Sequence, residues 1–186
     1  MTVAKPLPHD AAALHVTGQA RYIDDIPVPA NCLHLAFGMA GVARGRLTSL
    51  DLAAVRAAPG VVLVLSAEDF DHMPDVSPGA HDEPLLSTGA IEFHGRPLFL
   101  VAATSHRAAR RAARLAKVEI VAETPILTIE DALAADSRFE SGPLIWGQGD
   151  PDRAMAAAPV TVEGSFAIGG QEHFYLEGQA ALALPQ

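Results

Sequence analysis

Ile91-Glu92-Phe93-His94-Gly95-Arg96-Pro97-Leu98-Phe99-Leu100-Val101-Ala102, with the run from Ser105 to Lys117 behind it, decides the fold class. The first part reads as two strands around a turn at His94-Gly95, because apolar residues with β-forming side chains flank a glycine. Ser105 then has the chemistry of an N-cap, a hydroxyl able to accept from an unpaired backbone N–H of a helix running to Lys117. Along that helix Ala108, Ala109, Ala112, Ala113 and Ala116 recur at helical spacing, a narrow apolar stripe suited to close packing on a sheet. Arg107, Arg110, Arg111 and Arg114 fall mainly on the remaining surface. A phosphate or acidic-partner site is conceivable there, but the acidic balance elsewhere favours a solvated helix face.

Upstream, Cys32 to Met39 reads as a strand with Leu33, Leu35, Phe37 and Met39 on one face, and Arg44 to Leu50 as a second extended run. Asp51 to Ala58 is a short helix stopped by Pro59-Gly60. Val61 to Leu65 is wholly apolar, which predicts a strand buried on both faces. Ser66 to Asp69 is a turn. Residues 71–89 have the composition of a surface excursion. His72, His81, Asp82 and Glu83 lie within it, but adjacent residues do not converge easily on one ion, so a loop is the better reading than a metal site. Residues 1–17 form a polar arm without periodicity. Gly18 to Pro27 reads as a short strand ending in a turn in which Asp24 and Asp25 satisfy nearby backbone amides.

Downstream, Val118 to Ala122 is another strand, Thr128 with Asp131 opens a short helix, and Asp150 caps a helix with Pro151 at its first position. Val160, Val162, Gly164, Phe166 and Ile168 alternate with polar or small residues, which predicts a strand, and Tyr175 to Pro185 is again extended in character. Gly169-Gly170 between them predicts a sharp connection, with Gln171 beside it carrying an amide that both donates and accepts. Strands outnumber helices and the helices come late, so the fold class is α+β.

The 186-residue chain has a formal net charge of −9, which argues against a nucleic-acid groove and against docking on anionic lipid. Cys32 is the single cysteine, so this chain alone builds no disulfide, Cys-based zinc site or iron–sulfur site. The first residues lack a secretory pattern and no apolar run has the length of a membrane span, making the cytoplasm the expected location.

Several strings resemble the molybdenum-containing subunit of the xanthine dehydrogenase and aldehyde oxidase family. They are GQARYIDDIP at 18–27, TSLDLAAVRAAPGV at 48–61, SAEDF at 66–70, FHGRPLFLVAAT at 93–104, TIEDAL at 128–133 and GGQEHFYLE at 169–177. They fall in the family's order along nearly the whole chain. The resemblance implies an α/β-hammerhead domain over 18–135, a connecting segment with a short helix over 136–158, and the first strands of a molybdopterin-binding domain over 159–186. It implies that the Gln171 amide lies against the apical oxygen of a molybdenum centre. The activity implied is hydroxylation of purines, hypoxanthine and xanthine to urate, with oxygen derived from water and electrons passed to iron–sulfur clusters, FAD and NAD in partner regions.

No catalytic residue is carried over, since neither Glu172 nor Glu177 matches the motif of the family's base, and no direct metal ligand is expected. A pterin site needs a concavity built from several segments. The isolated chain is therefore expected to be inactive and to require the remainder of the molybdenum subunit and an iron–sulfur/FAD subunit or domains. The alternatives are the same portion of an aldehyde-oxidising relative, or a non-catalytic scaffold. A swinging-arm carrier is disfavoured because Lys5 and Lys117 are the only lysines and neither sits at a hairpin tip.

Overall fold

The computed structural model describes residues 3–79, 81–138, 142, 144–174 and 178–184. They divide into two compact units, Ala30–Leu144 and Met1–Pro29 with Ile145–Gln186. In chain order the elements are α1 (Ala12–Thr17), β1 (His34–Met39), β2 (Gly45–Asp51), α2 (Ala53–Arg56), β3 (Val61–Ser66), β4 (Ala90–Ile91), β5 (Pro97–Ala103), α3 (His106–Ala113), β6 (Lys117–Ala122), α4 (Ile129–Ala134) and α5 (Pro151–Ala157). The architecture is α+β, with two three-stranded antiparallel sheets ordered β1-β5-β3 and β4-β2-β6.

The Ala30–Leu144 unit is built around β5. Leu98, Phe99, Val101 and Ala103 on this strand are buried, and they join Val55 of α2 and Val64 of β3 in one core. Helix α3 covers this core. Ser105 Oγ accepts from the Ala108 N–H at 3.2 Å, capping its first turn. Ala109 and Ala112 are fully buried, as a stripe of the smallest side chains allows. The four arginines 107, 110, 111 and 114 are exposed, in keeping with a solvated face. Leu47, Leu50, Val118 and Ile120 of the second sheet pack partly buried against the same core. One contact is unusually close: a Cβ on Gly38 would lie 2.0 Å from the Phe99 ring. The ring fills the space that any larger residue on β1 would occupy.

The two strands and the turn expected over 91–102 are present, with Gly95 at φ +90, but the strands do not pair with each other. β4 pairs with β2 and β5 with β1 and β3, so this turn carries the chain from one sheet to the other. The expectation that Val61 to Leu65 is buried on both faces is corrected. β3 is an edge strand, and Val62 and Leu63 are 58% and 49% exposed. An apolar run shows that both faces are apolar, not which strand lies between two others.

The second unit contains α1, a 3-10 turn at Ile23–Asp25 and α5. Helix α1 lies in the arm read as aperiodic. It stops at Gly18, and that glycine together with the alanines at 11–13 is the local signal for it. No strand forms over 18–27; of the two aspartates expected to satisfy backbone amides, Asp25 does so, its Oδ2 accepting from the Tyr22 N–H at 3.0 Å, whereas Asp24 makes no such bond among the described residues. Asp150 Oδ1 accepts from the Arg153 N–H at 2.9 Å and Pro151 opens α5, as the sequence indicates. The strand expected over 160–168 is corrected: among the described residues, 158–174 and 178–184 belong to no strand. Alternation fixes which side each residue faces, but a strand needs a neighbour to take its backbone N–H and C=O groups. Tyr175, Leu176, Glu177, Pro185 and Gln186 lie outside the described residues.

Candidate functional site

The stretch from Gly169 to Phe174 is exposed throughout. The glycine pair does not make the expected sharp turn. Neither glycine has a positive φ, and a Cβ on either would meet nothing within 4 Å. The left-handed residue is Phe174, at φ +54, and its N–H donates to Glu172 Oε1 at 3.3 Å. Gln171 is exposed, and among the described residues it has no hydrogen-bond partner. In the sequence on either side of it, Val160, Val162, Phe166, Ile168 and Phe174 are exposed apolar side chains. The open space beside Gly169 and Gly170 and the unengaged amide suit contact with a polar group brought from outside. Enclosure of a pterin is not provided by this stretch.

The other sequence candidates are occupied by local structure. Asp75 organises the 71–89 excursion by accepting from Ser77 Oγ at 2.6 Å, the Ser77 N–H at 3.1 Å and the Glu83 N–H at 3.1 Å. His81 Nδ1 lies 3.6 Å from its carboxylate. These contacts, led by the Ser77 hydroxyl, hold the Asp75 carboxyl below its ordinary value although burial opposes them. Among the described residues no three His, Cys, Asp or Glu side chains converge as a metal site. His72, Asp82 and Glu83 are loop residues.

One group gave no sequence signal. Arg96 is 3% exposed, its Nε has no partner among the described residues, its Nη2 donates to the Pro84 carbonyl at 2.9 Å, and its guanidinium lies 5.4 Å from the Phe93 ring centroid. It ties the end of the excursion to the turn before β5. Clefts of about 280, 370 and 250 Å³ are lined by residues between Arg44 and Glu123, well away in sequence from Gln171.

Residues 17–123 match the model of the aldehyde oxidase and xanthine dehydrogenase a/b hammerhead domain. The chain belongs to the xanthine dehydrogenase and aldehyde oxidase family. Residues 136–186 match the molybdopterin cofactor-binding domain, so Gln171 lies within that part. Among the relatives, the xanthine dehydrogenase of Drosophila pseudoobscura pseudoobscura is 38% identical over 186 residues, covering 99% of this chain and 14% of the relative. Aldehyde oxidase 1 of Cavia porcellus is 39% identical over 187 residues, again 99% and 14%. The chain thus spans about one seventh of the length of these relatives. Of solved structures, the aldehyde oxidoreductase from Desulfovibrio gigas aligns at a TM-score of 0.65 with 28% identity, over 84% of this chain and 19% of that one. Quinoline 2-oxidoreductase from Pseudomonas putida 86 aligns at 0.63 with 27% identity, over 81% and 21%. Among the described residues of this family member no helix is long and apolar enough to cross a membrane.

Proposed function

We propose that this chain is the amino-terminal portion of the molybdenum-cofactor subunit of a xanthine dehydrogenase-like hydroxylase, with Gln171 as its contact to the cofactor. The observation that carries this reading is an exposed amide, without a partner among the described residues, inside the part that matches a molybdopterin-binding domain. When bound, the molybdenum–pterin group supplies the two-electron oxidation. This chain supplies an amide that can donate to or accept from a polar ligand of that group. The domain layout follows: an arm over 1–17, the hammerhead domain over 18–135, a connecting segment over 136–158 and the start of the cofactor domain over 159–186.

The substrate under this reading is a purine, hypoxanthine or xanthine, oxidised to urate in the cytoplasm with electrons leaving through iron–sulfur clusters and FAD to NAD. Similarity to a xanthine dehydrogenase along the length of this chain supports it. An aldehyde substrate is the second reading, supported by equal similarity to an aldehyde oxidase. Activity requires the rest of the subunit, because a pterin site needs a concavity built from several segments and the described residues around Gln171 offer an exposed stretch. The test is Gln171→Ala in the complete subunit, with bound molybdenum measured by mass spectrometry beside turnover of xanthine and of an aromatic aldehyde. Loss of metal or of turnover is expected. Unchanged loading together with unchanged turnover removes Gln171 from the site.

A further inference from the structure

The 71–89 excursion runs out and back as two legs bonded to each other and to the body of the unit. On the returning leg the Glu83 N–H donates to Asp75 Oδ2 at 3.1 Å, the Leu85 N–H to the Pro74 carbonyl at 2.8 Å and the Ser87 N–H to the Pro97 carbonyl at 2.8 Å. The Leu86 N–H differs from these, because its acceptor is Met73 Sδ at 3.5 Å. Leu86 is 0% exposed, and its side chain is among the largest that are fully buried. A backbone N–H at such a position costs stability whenever its acceptor leaves. Met73 itself is half-buried. The other acceptors on this leg are oxygen atoms that mild oxidants leave alone, whereas a thioether is converted to a sulfoxide. The link at the base of the excursion is therefore the one that chemistry can alter.

We infer that Met73 is an oxidation-sensitive latch, which holds the excursion while its sulfur is a thioether and releases the returning leg when peroxide oxidises it. In that step the O–O bond of hydrogen peroxide breaks and one oxygen forms an S–O bond with Sδ. The sulfur gives up two electrons, and the other oxygen leaves as water. The new oxygen adds bulk and polarity beside a fully buried leucine, so the side chain is drawn toward water and the Leu86 N–H loses its acceptor. The rest of the leg keeps its oxygen acceptors at Pro74, Asp75 and Pro97, and Arg96 Nη2 still holds the Pro84 carbonyl. The response is a local opening and not an unfolding of the unit. The inference uses contacts within the Ala30–Leu144 unit alone and does not rest on the Gln171 contact.

The test follows hydrogen exchange of the 84–89 segment by mass spectrometry in the complete subunit, before and after hydrogen peroxide, with peptide mapping to record the Met73 sulfoxide. One amide of this segment, that of Leu86, should exchange at least tenfold faster after oxidation, and methionine sulfoxide reductase should restore the slow rate. Met73→Leu keeps the volume but offers no acceptor and takes up no oxygen. This variant should exchange as fast as the oxidised parent from the outset and should not respond to peroxide, which separates Met73 from the other methionines and Cys32. An unchanged rate with Met73 oxidised overturns the inference, as does slower exchange, the sign that the sulfoxide oxygen has taken over the bond. A Met73 that stays a thioether at peroxide concentrations that oxidise free methionine also overturns it. So does a Met73→Leu subunit that responds to peroxide as the parent does.

Discussion

Gly38→Ala tests the packing on which the Ala30–Leu144 unit depends. The added Cβ would stand 2.0 Å from Cε1 and Cζ of Phe99 and 2.7 Å from Cδ1. Carbon atoms rest at about 3.5–4.0 Å, so ring or strand must give by roughly 1.5 Å or more. Phe99 is 1% exposed within the core that includes Val64, Val101 and Ala109. The ring has no solvent to swing into, and retreat means leaving its rotamer or prising β1 from β5. Overpacking of a filled core costs about 1–3 kcal/mol, and a displacement of this size belongs at the upper end, near 3 kcal/mol. Against a total of roughly 5–15 kcal/mol this is a large fraction, and it lowers the melting temperature by about 10 °C or more. Urea unfolding followed by circular dichroism measures it. Phe99→Leu removes the ring edge, so Gly38→Ala with Phe99→Leu should be less destabilised than the sum of the two single changes by at least about 1 kcal/mol. A Gly38→Ala protein within about 0.5 kcal/mol of the parent, or strict additivity in the pair, refutes the reasoning.

Asp69 Oδ2 accepts from the Ser66 N–H at 2.7 Å and from Ser66 Oγ at 2.9 Å. The backbone bond first, and then the hydroxyl, hold its carboxyl below the ordinary 3.8. A carboxyl lowered in the folded state stabilises fully above its unfolded value, and that contribution is lost as pH falls through the lowered folded value. Asp69→Asn should therefore be less stable than the parent at pH 7, and the gap should close below pH 3.8 in urea unfolding at several pH values. A gap that is the same at pH 7 and pH 2 contradicts this. Arg96→Ala removes the bond to the Pro84 carbonyl and the stacking on Phe93. Limited proteolysis should then cut within 71–89 several-fold faster, and an unchanged cutting rate would show that Arg96 does not hold this excursion.

Local features were legible in the sequence because their causes lie within a few residues of one another. Ser105, Thr128 and Asp150 cap the helices they precede, since a side-chain oxygen needs to reach an N–H only three positions along. The alanine spacing of α3 likewise named its buried face. The ordered strings pointed to the family, and they singled out Gln171 as a candidate that only its proposed experiment can test. Strand order, by contrast, depends on partners distant in sequence. Val61 to Leu65 carries no mark of the edge, and β4 and β5 carry none of belonging to different sheets.

Nothing in the sequence set Gly38 apart from its strand neighbours or Arg96 from the turn that holds it; β5 brings Phe99 against the glycine, and the Pro84 carbonyl accepts from the arginine. The alternation from Val160 to Ile168 was read correctly as pattern, but a ladder requires a second strand and none forms over these residues. By itself the sequence determined the capped helices, the α+β class and the family, because short-range chemistry and residue order carry them. Only the tertiary structure decided which strand lies at the centre and which glycine cannot be replaced, because each depends on atoms brought together from far apart along the chain.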